Sequence, residues 1–252
     1  MASRSASLDA LLLRSKEVPS GARVVTLLSA EEGLIEAFVF GGGKSKLRSL
    51  ASPWHYGRAW IYRDLSKGLI KLNDFDPLRE HAGIRGNLGA ISSASFVSEF
   101  MAATSGLGGD WSDALELSLV ALASFEAAAL HDDHPMLDRS LVLFILTALE
   151  AMGLLPDRNE CSSCAGVIRR DALHSYSRRS GGFVCSHCAE TDMMPVPPGA
   201  IAWLESAGRK SFGEAVIVGL AYEASAALKA IAIDLARKAA DVPLRTLDSG
   251  LI

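Results

Sequence analysis

The sequence predicts an α+β, multi-domain chain. A small N-terminal β-barrel covers residues 1–76, and an all-helical domain covers 77–252, interrupted at 157–194 by a four-cysteine segment. Three observations predict it. Up to about residue 73 the text runs in short apolar and β-branched stretches parted by Gly, Pro and Ser. Beyond that point apolar residues recur at helical spacing. All four cysteines fall in two Cys-x-x-Cys pairs, Cys161-Ser-Ser-Cys164 and Cys185-Ser-His-Cys188.

Leu8 to Ser15 reads as a first strand, and Val18-Pro19-Ser20-Gly21 as the turn after it. Ala22 to Ser29 is β-branched and reads as a second strand. Glu31-Glu32-Gly33 turns the chain, with Gly at the position that tolerates positive φ. Leu34 to Phe40 is a third strand, and Gly41-Gly42-Gly43-Lys44-Ser45-Lys46 a flexible loop. Trp54 to Arg63 is an aromatic fourth strand and Gly68 to Asn73 a fifth. Five short strands in this length suit a Greek-key barrel of the OB type. Asp74-Phe75-Asp76-Pro77 breaks the pattern. Helices are expected at Ile84 to Thr104, Asp113 to Leu130 and Pro135 to Met152, then at about 200–206 and 213–240.

A two-residue spacer lets both sulfurs of a pair face one ion, and two pairs supply the four thiolates of a closed tetrahedral zinc site. Cys161, Cys164, Cys185 and Cys188 are the candidate ligands. An iron–sulfur cluster takes the same ligands, and the spacing alone is compatible with it. A zinc deaminase needs His-x-Glu, which occurs nowhere in this chain. Four thiolates leave no position for water, so the metal reads as structural, stapling a segment with little apolar core of its own.

The net charge of −4 does not announce a nucleic-acid binder, but its distribution is uneven. Residues 1–80 carry a net +3, residues 81–160 a net −8 and residues 161–252 a net +1. No secretory signal is read at the N-terminus, where Leu11-Leu12-Leu13 meets Arg14 and Lys16. The run Leu141 to Leu149 is far too short to span a bilayer. The expectation is a cytoplasmic protein without membrane partners. Gly43-Lys44-Ser45 looks like the end of a phosphate-binding loop, but Phe38 stands where that loop needs its first glycine. As a basic loop it can still follow a phosphate chain. Trp54, Tyr56, Trp60 and Tyr62 share one parity and so one face of an unbulged strand. The pattern assigns that face to the barrel core over a base-stacking surface. Arg169, Arg170, Arg178 and Arg179 read equally as solvated charge and as nucleic-acid contacts. His131, Asp132, Asp133 and His134 read as helix-junction caps rather than as a second metal site. No catalytic constellation is present, so no enzyme is expected.

The order of the motifs resembles the RecO family of bacterial DNA repair and recombination mediators over nearly the whole chain. The resemblance is carried by Ala10-Leu11-Leu12-Leu13-Arg14-Ser15, by Val25 to Gly33, and by Phe40-Gly41-Gly42-Gly43-Lys44-Ser45-Lys46-Leu47-Arg48 with Ser52-Pro53. It continues in Gly153-Leu154-Leu155-Pro156 ahead of Cys161, in Gly181-Gly182-Phe183-Val184-Cys185, and in Pro243-Leu244-Arg245-Thr246-Leu247. It implies a nucleoid-associated protein that binds single- and double-stranded DNA and anneals complementary strands. With RecR, such a protein helps load RecA recombinase onto strands covered by single-strand binding protein, whose acidic tail it binds. By position it implies DNA contacts from Arg14, Lys16, Arg23, Lys44, Lys46 and Arg48, with Arg58 and Arg63. The strongly acidic middle third supports an alternative, a zinc-ribbon module that recruits partners without significant DNA affinity.

Overall fold

The computed structural model describes residues 4–19, 21–41, 45–169 and 174–252. Five strands close a barrel in the order β1-β2-β3-β5-β4: β1 (Ser5–Glu17), β2 (Arg23–Ser29), β3 (Gly33–Val39), β4 (Tyr56–Asp64) and β5 (Leu69–Arg79). The pairings are antiparallel except β3 with β5, which is parallel, and β1 closes the ring on β4. This is the OB-like barrel that the strand count predicts. A five-residue helix, α1 (Lys46–Leu50), lies between β3 and β4.

β1 explains its own apolar run. Leu8, Ala10 and Leu12 point into the barrel with Val25, Leu27, Ile61 and Phe75. Leu11 and Leu13 point outward into the core of the helical domain. A strand buried on both faces reads as continuous hydrophobic text rather than as alternation.

A 3-10 turn (Ala82–Gly86) leads into α2 (Leu88–Ala103), the tight turn α3 (Ser105–Gly109), α4 (Trp111–Leu130) and α5 (His134–Ala151). Side-chain caps start the long helices: Asn87, Asp110 and Asp133 accept from the amides of Ala90, Asp113 and Met136 at 2.8–3.1 Å. Asp133 thus caps α5, as the sequence implies. Phe96, Phe100 and Phe144 form the aromatic centre, with ring centroids 5.5–6.1 Å apart. The cysteine segment carries β6 (His174–Ser177), β7 (Gly182–Val184) and β8 (Met194–Val196), a small sheet ordered β7-β6-β8. The chain ends with α6 (Pro198–Ala207), α7 (Phe212–Val216), α8 (Tyr222–Ala239) and α9 (Arg245–Asp248).

Several elements depart from expectation. Lys46 and Arg48 stand in α1 rather than in or beside an open loop. β4 begins at Tyr56, because Trp54 takes a left-handed backbone (φ 68°) and turns into the helical core. β5 runs on through Asp74-Phe75-Asp76-Pro77. Phe75 is buried in the barrel, and Gly57, opposite Pro77, leaves room that a Cβ would fill at 2.1 Å from the Asp76 carbonyl. The expected helix over 213–240 is two, α7 and α8, parted at 217–221. The aromatic face of β4 is not the core. Gly57, Ala59 and Ile61 point inward, while Trp60 is 40% exposed and Tyr62 half-buried on the outside.

Candidate nucleic-acid interface and metal centre

The cysteines come together from two knuckles. In the first, the amide of Ala165 donates to the Cys161 carbonyl at 2.8 Å and that of Cys161 to Gly166 at 2.9 Å. In the second, the amide of Cys188 donates to the Cys185 carbonyl at 3.0 Å. Each closes a tight turn that aims two sulfurs the same way. Gly181 and Gly182 serve the approach of the knuckles. Gly181 holds φ 69°, and a Cβ on Gly182 would meet Ser162 Cβ at 2.7 Å. The Ser162 amide donates to the Phe183 carbonyl at 2.9 Å and so ties the first knuckle to β7.

All four sulfurs lie within 4.8 Å of one another, with Cys164 and Cys185 at 3.9 Å. The cysteines are free, not disulfide-bonded. A tetrahedron with metal–sulfur bonds of ~2.3 Å has edges of ~3.8 Å, so the set fits a four-thiolate cation. The residues that would hold it are Cys161, Cys164, Cys185 and Cys188. Burial opposes ionisation of Cys161, but amides of Cys185, Ser163 and Cys164 face its sulfur and its pKa falls to about 6. Without a cation, hydrogen bonds with Cys164 and Cys185 push the Cys188 thiol up to about 12, and a cation at the centre of the four sulfurs would displace that proton. An amide–sulfur bond of 3.4 Å from Cys185 to Cys161 steadies that ligand.

The basic residues divide into groups. One end of the barrel, where β1 finishes and β2 starts, gathers Arg23 and Arg48 round one carboxylate, with Lys16 on β1 and Lys46 on α1 beside them in the chain. Glu17 lies 2.7 Å from Arg48 and 3.6 Å from Arg23. Arg23 also donates to the Arg48 carbonyl at 2.9 Å, and Arg48 to Gly41 at 3.4 Å. Arg14 sits outside the barrel on a cross-strand row, bonded to Thr26 at 3.0 Å and Glu36 at 3.3 Å, yet its side chain is 63% exposed. Arg58 and Arg63 are not part of this end. Arg58 pairs with Asp9 at 3.1 Å on the barrel wall. Arg63 pairs with Glu32, on the β2–β3 turn at the opposite end. Lys44 lies outside the described residues.

From the cationic end a cleft of about 650 Å³ runs between barrel and helical domain. Arg14, Lys16, Trp54, Glu99 and Arg245 help to line it. Glu99 is occupied, accepting from the backbone amides of Arg245 and Thr246 at 2.8 and 2.9 Å, which positions the Arg245 side chain at the cleft. Arg245 was not among the sequence candidates, since nothing in a short C-terminal segment says that it packs beside β1.

The family model for the N-terminal part of recombination protein O matches residues 1–81. The chain is 30% identical over 223 residues to the DNA repair protein RecO of Anaeromyxobacter sp. (strain Fw109-5), covering 88% of this chain and 82% of that one. It is 27% identical to that of Bacillus subtilis (strain 168) over 193 residues, covering 75% and 71%. To that of Heliobacterium modesticaldum (strain ATCC 51547 / Ice1) it is 27% identical over 203 residues, covering 78% and 71%. With the barrel, the helical domain and the cysteine cluster in the places where these similarities run, the chain belongs to the RecO family of DNA repair proteins.

Proposed function

We propose that the protein is a non-enzymatic mediator that binds single- and double-stranded DNA, anneals complementary strands and, with RecR, helps load RecA recombinase onto strands covered by single-strand binding protein. The observation that carries the reading is the pairing of Arg23 and Arg48 with Glu17 at the barrel end whose β1 and α1 also bear Lys16 and Lys46, continued by Lys16, Arg14 and Arg245 into the cleft. The mechanism is electrostatic. Cations replace counterions on the phosphates and lower the repulsion between two strands held together. The barrel, ending with β5, carries this contact, with Arg58 and Arg63 as flanking contributors and Lys44 as a further one. The four thiolates hold a structural Zn2+, which fastens the cysteine segment and takes no part in DNA chemistry.

The acidic tail of single-strand binding protein has a candidate seat in the helical domain. A groove of about 600 Å³ is floored by Leu117, Leu143, Leu146 and Leu228. Arg158 and Lys210 line it, Arg158 beside Gly208. These cations would take the tail's carboxylates.

The test is DNA affinity against salt, together with annealing of complementary oligonucleotides coated with single-strand binding protein. Replacing Lys16, Lys46 and Arg245 by Ala should lower the salt slope for single strands by about 2 and slow annealing. An unchanged slope and rate would remove this end of the barrel from the interface.

A further inference from the structure

The outer wall formed by β3, β5 and β4 carries an aromatic surface that the cationic reading does not use. Phe38 pairs in register with Lys71, and Lys71 with Tyr62, so a ring, an ammonium and a ring form one row across three strands. Phe40 follows on the same side of the chain, 49% exposed, its ring centroid 6.0 Å from that of Phe38. The Lys71 ammonium lies 5.6 Å from the Phe40 ring and 5.9 Å from the Tyr62 ring. Trp60, two residues before Tyr62, shares its face at 40% exposure. The β1 residues opposite Tyr62 and Trp60 are Ser5 and Ser7, too small to cover the rings.

Two features favour a nucleic-acid strand as the occupant. Lys71 makes no ion pair among the described residues; its charge reaches Asp64 at a distance, but its ammonium sits between the two rings. The patch is also continuous with the cationic end, because Arg48 donates to the carbonyl of Gly41, the residue after Phe40. A phosphate chain leaving Arg48 and Lys46 meets Phe40 next.

We propose that Phe38, Phe40, Trp60 and Tyr62 form a stacking platform for the bases of single-stranded DNA, with Lys71 holding the phosphate between them. Every base has a π face, so such a platform is indifferent to sequence, and it discriminates single strands from duplex because paired bases cannot reach it. This deepens the DNA-binding function proposed above and rests on it.

The experiment compares an oligothymidylate with an abasic strand of equal length and charge, by fluorescence anisotropy. Wild type should bind the base-bearing strand more tightly. Phe40→Leu and Trp60→Ala, at exposed positions that keep the fold, should each weaken that strand roughly 5- to 100-fold and leave abasic and duplex binding unchanged. Lys71→Gln should weaken both single strands. Equal affinity of wild type for the two strands, or equal losses on both in Phe40→Leu, would overturn the platform while leaving the electrostatic interface intact. Binding of neither strand would overturn the DNA-binding function with it. A monomer–dimer shift abolished by Phe40→Leu, without base preference, would assign the patch to a second copy of the chain instead.

Discussion

Charge counts in a sequence do not distinguish a cation that is available from one that is occupied. Arg14, Arg23, Arg48, Arg58 and Arg63 each have a carboxylate partner, whereas Lys16 and Lys46 have none among the described residues. The exposed pairs of Arg14 and Arg58 contribute little to stability, so these cations are free to turn to a phosphate. Arg48 and Arg23 differ, because they also tie α1 to β1 and β2, so removing them mixes affinity with folding. His81 gives a second residue-level expectation. Burial pushes its pKa down, against the opposing hydrogen bond and charge of Glu126, while Arg79 and Arg85 add to the lowering. The folded state therefore keeps this ring neutral while the unfolded chain takes up a proton below about pH 6.5. Stability should be full above that pH and decline as pH falls through it. Comparing unfolding midpoints at about pH 7.5 and about pH 5.5 checks it. His81→Asn, which suits the left-handed backbone at φ 46°, should show a smaller drop.

At the scale of elements, the close approaches of glycine set how the barrel meets the helices. A Cβ on Gly33, at φ 71°, would fall 2.5 Å from the Trp111 indole, and one on Gly106, at φ 58°, 2.4 Å from the same ring. Trp111 at the start of α4 is thus wedged between the β2–β3 turn and α3. The sequence read Gly33 as a turn residue, which is correct, but its second role belongs to the partner ring. Gly33→Ala should cost about 2–4 kcal/mol, from left-handed strain and overpacking. Gly68→Ala, at a similar φ of 57° with open space around it, should cost only the strain. Chemical denaturation of the two variants separates the contributions.

For the whole molecule, the cysteine segment is held by more than its sulfurs. Tyr176, Phe183 and Val184 are buried in the core of the helical domain. The Tyr176 hydroxyl donates to Asp234 on α8 at 2.7 Å, and Lys238 bonds the same carboxylate at 2.6 Å. The barrel core is a separate cluster. Chelation should therefore loosen β6, β7 and β8 and then α8, while the barrel keeps its protection. Hydrogen exchange with and without chelator reads this directly. Simultaneous loss of protection in β1–β5 would mean that the two cores unfold as one unit. Among the described residues no helix is long and apolar enough to cross a membrane.

Local text was enough for the five strands, the main helices, their order and the pairing of the four cysteines into one cluster. All of these rest on local spacing and turn chemistry, which short windows of text contain. The left-handed turn at Gly33 and the cap at Asp133 were legible for the same reason. Which face of β4 is buried could not be read locally, since alternation gives the parity of Trp60 and Tyr62 but not its sign. Barrel closure set that sign by filling the interior with Gly57, Ala59 and Ile61. The tertiary structure alone brought Arg245 to the cleft beside Arg14 and Lys16, and placed Glu17 among the cations. Contacts between residues far apart in the chain are set by how the two cores pack, and no local pattern encodes them.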